Sequence, residues 1–246
     1  MKTILHDLRR AIAGRWFLTA LIATSAALYL SVGQATHGLA DYLQNSQFYT
    51  DGFWCSLSEM LVLGMQGSFG MLTLPALSAL PFAAQALHEI KSGAIRPAVF
   101  RTGKTAWTVG KASVCIVSGM LLQGAAVGLL YLILNGLVRG RTGQWFAWGT
   151  GAEFWPILQC RMLCGGIWAG VGCVIALATE TASAAYLAPL CLCYSLMMIA
   201  TRFFPELPTL NPTLWVSGAV CLPAVLLVFT AGLEIFFLNR GVGKYV

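Results

Sequence analysis

The chain has 246 residues, 58% of them hydrophobic and only 10% charged, with a formal net charge of +6. That is far too little polar surface to cover a soluble globule of this size, which excludes a soluble enzyme or carrier and points to a membrane protein. The positive charge does not mark a nucleic-acid binder either, because the basic residues sort by membrane side instead of gathering into one patch.

In chain order, residues 1–15 set Ile4, Leu5, Leu8 and Ile12 at helical spacing, with Asp7, Arg9 and Arg10 on other faces. That pattern predicts an amphipathic helix lying on the membrane surface. A basic start before an apolar run is also the layout of a signal peptide. This run exceeds the usual signal length and is followed by no clean small-x-small cleavage site, so an uncleaved first span is expected. Six apolar segments reach the roughly 20 residues a spanning helix needs. They cover residues 16–32, 60–84, 109–134, 157–178, 184–200 and 216–238.

Residues 33–58 contain no Lys or Arg and form the first outer loop, in which Tyr42, Phe48, Tyr49, Phe53 and Trp54 fit an interfacial aromatic belt. The second span carries Gln66, Ser68 and Pro75, with Pro81 near its inner end. These prolines are expected to kink or end the helix. Residues 81–111 then hold five basic residues, Lys91, Arg96, Arg101, Lys104 and Lys111, and an excess of Lys and Arg in a short loop marks the cytoplasmic side. With the N-terminus inside, this platform joins Lys2, Arg9, Arg10, Arg15, Arg240 and Lys244 in the cytoplasm. Arg139, Arg141, Arg161 and Arg202 fall outside with Asp41, Asp51, Glu59, Glu153 and Glu206, a bias of eleven basic residues to four. An even number of spans returns the C-terminus to the cytoplasm.

The third and fourth spans contain Gly124-x-x-x-Gly128 and Gly166-x-x-x-Gly170, a spacing that lets helix backbones approach closely and is read here as internal packing. Between them, residues 135–156 form a polar outer loop with Trp145, Trp148 and Trp155 as anchors. A short turn at 178–183, containing Glu180, leads to the fifth span. Residues 201–215 follow with three prolines among aromatics and leucines, which predicts a broken or re-entrant segment. The chain has no evident internal repeat, which weighs against an inverted-repeat transporter.

Chemistry-bearing motifs are sparse. Gly103-Lys104-Thr105 ends like a phosphate-binding loop, but Ala98 stands where that motif needs a glycine, so the chain is not expected to bind ATP. His6, His37 and His88 lie outside the apolar runs and the acidic residues are read at span ends, which leaves no catalytic set and no mid-membrane carboxylate for an ion-coupled transporter. Gln66, Gln123 and Gln159 are read as interhelical hydrogen-bond partners. Of the eight cysteines, only Cys55 is placed on the outer side. The Cys191/Cys193 and Cys160/Cys164 pairs lack accompanying histidines and carboxylates, so no metal site is expected.

The run Leu80-Pro81-Phe82, followed by Glu89, Ser92-Gly93, Arg96, Arg101 and Lys111, resembles the pattern of membrane subunits of type-2 ATP-binding cassette (ABC) exporters. The match is most specific over residues 80–111, with the rest supported by layout; Trp107 stands where that family often carries Tyr. The resemblance implies an all-α, single six-helix transmembrane domain over residues 1–246, with both termini cytoplasmic. It further implies that residues 87–104 form a coupling helix in which Glu89, Ser92, Gly93, Arg96 and Arg101 engage a separate cytoplasmic ABC ATPase. The implied protein is a multi-pass permease of the cell membrane, an exporter subunit and not itself an enzyme, paired with a second copy or a similar subunit. It carries no cofactor, ATP and Mg being bound by the partner ATPase. If the helix runs unbroken to Pro97, Glu89 and Arg96 share one face. Without the resemblance, the platform reads as an interfacial helix holding its charges at lipid headgroups, and the chain as a secondary transporter or channel, or a membrane-anchored immunity or assembly protein.

Overall fold

A computed structural model describes residues 2–44, 56–142, 145–216 and 220–245, and all regular structure among them is helical. The elements are α1 (Lys2–Ile12), α2 (Arg15–Gln44), α3 (Leu57–Gln66), α4 (Ser68–Ala79), α5 (Gln85–Lys91), α6 (Ile95–Thr102), α7 (Lys104–Thr142), α8 (Phe154–Thr179), α9 (Ala184–Phe203) and α10 (Cys221–Tyr245). Five helices are long and apolar enough to cross a membrane, and α3 with α4 make a sixth if that bent pair counts as one span. The expected all-helical, multi-pass architecture stands at that level. Phe48, Tyr49, Phe53, Trp54 and Cys55 of the expected outer loop lie outside the described residues.

α8 is the central helix and packs against α7, α10, α4, α9 and α3. Its most apolar stretch is 56% buried inside the chain, against 22% for α9 and for α10. Composition explains the difference. Gly165, Gly166, Gly170 and Gly172 remove side chains where neighbours cross, and a Cβ on Gly119 of α7 would lie 2.5 Å from the Gly165 carbonyl oxygen. The closest α7–α8 approach therefore runs through Gly119 and Gly165. Gly124 meets only the flexible Met162, Gly128 faces open space, and Gly166 and Gly170 pack inward on α10 at Leu227 and Thr230.

The second span ends just before Pro81, as expected, but the bend inside it is not at a proline. Pro75 lies inside α4, and the break is at Gly67, where α3 and α4 bend by 64°. A Cβ at Gly67 would come within 2.4 Å of the Ser31 Cβ on α2, and the Gly70 amide donates to Ser31 Oγ at 2.7 Å, so close backbone approach to α2 sets the bend. Upstream, α3 starts from a capping box: Ser56 Oγ accepts from the Glu59 amide and Glu59 returns the bond to the Ser56 amide. Residues 147–148 lie across this start, their carbonyls accepting from the Leu57 and Ser58 amides. This loop divides the expected tryptophan anchors. Trp145 and Trp155 are exposed, whereas Trp148 packs edge-on against Tyr131 and Phe154.

After α9 the chain forms two short 3-10 turns, Pro208–Leu210 and Pro212–Trp215, in place of a continuous helix. Asn211 caps the second by accepting from the Thr213 amide, and the buried Trp215 stacks on Trp168 of α8 at 6.0 Å. The break that the prolines predict is therefore present, with Pro212 and Trp215 buried against the bundle and residues 203–207 exposed.

Candidate functional site

At one end of the bundle, α1, α5, α6 and the start of α7 form a platform organised on Lys111. This lysine follows Trp107 by one helical turn on α7, and its ammonium lies 2.7 Å from Asp7 of α1 and 2.8 Å from Glu89 of α5. The rings of Phe82 and Trp107 flank it at 5.5 and 5.9 Å. Gln85 donates a further hydrogen bond to Glu89 at 3.2 Å. Lys111 itself is 95% buried, so one cation ties three separate helices in a poorly hydrated place where the attraction is strong. A second tie lies close by: Lys91 donates to the Glu180 carbonyl at 2.5 Å, joining the end of α5 to the end of α8.

The expected coupling helix over residues 87–104 is two helices, not one. α5 ends at Lys91, and α6 begins at Ile95 after a turn through Ser92 and Gly93. Gly93 takes a φ of +73°, a left-handed conformation that favours glycine, with its amide on the Ile90 carbonyl and its own carbonyl accepting from Arg96. Ser92 closes α5, its amide donating to the His88 carbonyl and its hydroxyl to that of Glu89. The break removes the premise that Glu89 and Arg96 share one face. Glu89 points into the bundle at Lys111, while Arg96, Phe100 and Arg101 are exposed on α6. Phe100 is 84% exposed, an aromatic side chain presented between two arginines. Between α5, α8 and α10, a cavity of about 260 Å³ is lined by Leu87, Ile90, Leu177, Phe237 and Arg240.

Two charged residues inside the bundle escaped the sequence reading. Arg161, assigned to the outer side by charge counting, is fully buried in α8. Its guanidinium donates to the Met65 carbonyl at 2.6 Å, the Gly70 carbonyl at 3.1 Å and Gln123 Oε1 at 3.1 Å. Gln123 in turn donates to Ser78 at 2.8 Å. Arg161 thus satisfies the Met65 carbonyl at the end of α3, which the break at Gly67 frees, and reaches across the break to the Gly70 carbonyl in the first turn of α4, a span that suits a forked donor. Gln123 has the interhelical role expected of it, whereas Gln66 and Gln159 are exposed.

The second residue is Glu234, fully buried in α10, which corrects the expectation that no carboxylate stands within the spans. It meets Cys115 of α7 and Cys173 of α8, the three ligand-type atoms all lying within 4.8 Å of one another. No motif flagged this group, because its members come from three helices far apart in sequence; one acidic residue inside an apolar run was the available signal. The cysteine pairs weighed in the sequence do not gather such a set among the described residues.

The sequence matches no protein-family model and no curated protein.

Proposed function

We propose that the chain is the membrane subunit of an ATP-driven transporter of the type-2 ABC kind, lying in the cell membrane with both termini in the cytoplasm. In this reading the platform is the docking place of a separate ATPase that binds ATP and Mg. One observation carries it: α6 offers exposed Arg96, Phe100 and Arg101, while α5 immediately before it is tied through Glu89 and Lys111 to α7 and α1. A contact that moves the platform therefore moves a spanning helix. Glu89, Ser92 and Gly93 serve as positioning residues, holding the turn between α5 and α6, and Arg96 and Arg101 supply surface charge for the partner. A second copy, or a similar subunit, completes a path between two bundles, and the direction is export.

The test is co-purification with a soluble, complete P-loop protein encoded beside this chain, together with transport in vesicles. Phe100→Asp and Arg101→Glu should each abolish association while leaving membrane insertion intact. Equal association by wild type and both variants would overturn the docking role.

Glu234 favours a second reading, an ion-coupled transporter, since an intramembrane carboxylate is the feature such a protein needs. Transport that persists in vesicles without any ATPase, and is lost in Glu234→Gln, would select it.

A further inference from the structure

We infer that Cys115, Cys173 and Glu234 form a site for a thiophilic d10 cation of the zinc class, stapling α7, α8 and α10 inside the bundle.

The donor set comes first. Two sulfurs and a carboxylate oxygen lie within 4.8 Å of one another, and all three residues are buried. Protein ligands stand about 2.0 to 2.3 Å from such an ion, so a small inward rotation of these side chains brings all three onto one centre. Two sulfur donors select thiophilic metals over magnesium or calcium, which take oxygen.

The state of the carboxylate is the second, independent observation. Both oxygens of Glu234 are buried, and apart from the weakly donating thiols of Cys115 and Cys173 nothing among the described residues stands by to satisfy them, although such groups in a folded interior are almost always satisfied. The Cys115 thiol donates elsewhere, to the Ala169 carbonyl at 3.4 Å. Room is kept for the carboxylate: a Cβ on Gly170 would lie 3.2 Å from Glu234 Oε2, and glycine leaves that space open. Packing alone would be served better by an apolar residue at position 234.

Binding forms two metal–sulfur bonds and one metal–oxygen bond. Each coordinating thiol gives its proton to solvent, and no oxidation state changes. Three protein ligands leave one tetrahedral position open. Cys115 follows Lys111 by one turn of α7, so the staple would stiffen the same helix that carries the platform tie.

The experiment uses the full chain in detergent with Cys55, Cys160, Cys164, Cys191, Cys193 and Cys221 changed to alanine, and Cd2+ alone as the probe. After desalting, one equivalent of cadmium per chain should remain and show the ultraviolet cadmium–thiolate band. Cys115→Ala or Cys173→Ala in that background should abolish retention, and Glu234→Gln should weaken binding about tenfold or more. If the cysteine-depleted chain loses its helical content, the same titration on wild type against Cys115→Ala and Cys173→Ala should show one equivalent lost in each. A folded chain that retains no cadmium, or whose retention ignores either cysteine or Glu234, overturns the site. ATP coupling plays no part in this measurement, so its outcome is separate from the transporter reading.

Discussion

Arg161 and Glu234 are equally buried, each with no exposed surface, yet their surroundings are opposite. The arginine meets three acceptors at 2.6 to 3.1 Å, two of them backbone carbonyls beside a broken helix. Among the described residues, the glutamate faces only the thiols of Cys115 and Cys173, and neither oxygen meets a backbone group. A buried charge whose every partner is an architectural group belongs to the architecture, because the fold at that point cannot be satisfied without it. A carboxyl group without such partners satisfies no backbone group, and its place beside two thiols is that of a ligand donor.

The comparison breaks first at Arg161. Arg161→Leu strands the Met65 carbonyl and the Gln123 amide oxygen inside the bundle and takes one acceptor contact from the Gly70 carbonyl. By analogy with removing one member of a buried charged pair, the expected loss is about 3 to 5 kcal/mol, read as an unfolding midpoint in detergent. Arg161→Lys should recover little, since a single ammonium cannot span three acceptors set around a planar fork. Stability close to wild type in either variant would show that the bend at Gly67 holds without the arginine.

Lys111 sharpens the contrast from the other side, as a buried cation satisfied by carboxylates instead of carbonyls. Lys111→Met leaves Asp7 and Glu89 without their shared partner, and because those side chains are 22% and 17% exposed, water relieves part of the cost. The expected destabilisation is about 2 to 3 kcal/mol, below the full penalty of a dry broken pair. Faster amide hydrogen exchange should be confined to α1 and α5, the two helices the lysine ties. Unchanged exchange in α1 would mean that the salt bridge does not hold it down.

Gly119→Ala asks for less. The added methyl meets the Gly165 carbonyl oxygen at 2.5 Å and the Ala169 Cβ at 2.7 Å, neither of which is a flexible chain end. Overpacking of this kind costs about 1 to 3 kcal/mol, and Gly128→Ala, facing open space, should cost nothing beyond experimental error.

The same contrast separates what was legible in the sequence from what was not. Apolar runs locate spanning helices because burial in lipid needs length and hydropathy alone, so the existence of α2, α7, α8, α9 and α10 is legible and α8 and α9 are bounded to within three residues. Both ends of α7 and α10 and the far end of α2, which runs to Gln44 into the expected outer loop, lie five or more residues from the expected bounds. Pro81 marks the end of the second span, but the bend inside it is not legible, because a helix can absorb Pro75, whereas Gly67 breaks by virtue of a contact with Ser31 that lies 36 residues upstream. The burial of Arg161 is not legible from counting charges by loop, which takes no account of which groups a side chain can reach. Of the platform residues, the turn at Ser92 and Gly93 could be anticipated from glycine, but the inward aim of Glu89 depends on Asp7 and Lys111 arriving from other helices. Likewise, Cys115, Cys173 and Glu234 become a group only when α7, α8 and α10 are packed.

The smallest effect is expected at Glu234, and it is the one on which the comparison turns. Glu234→Gln keeps the shape of the side chain and costs no more than the weak approach of two thiols. With a chelator present to strip metal, its unfolding midpoint should stay within about 1 kcal/mol of wild type, the range left when a buried polar group exchanges for one of like size without losing a partner. Glu234→Met goes further by removing the polar atoms while keeping an unbranched chain beside Gly170. The cost of an unsatisfied buried polar group, about 1 to 3 kcal/mol, is then relieved, so stability should hold or rise. Adding Cd2+ in place of the chelator should raise the wild-type midpoint by more than that of Glu234→Met, as ligand linkage requires when the bound state is the folded one and the variant has lost one of three ligands. A fall of 3 kcal/mol or more in metal-free Glu234→Met, comparable to that expected for Arg161→Leu, would make the glutamate an architectural group like the arginine and remove the distinction between them.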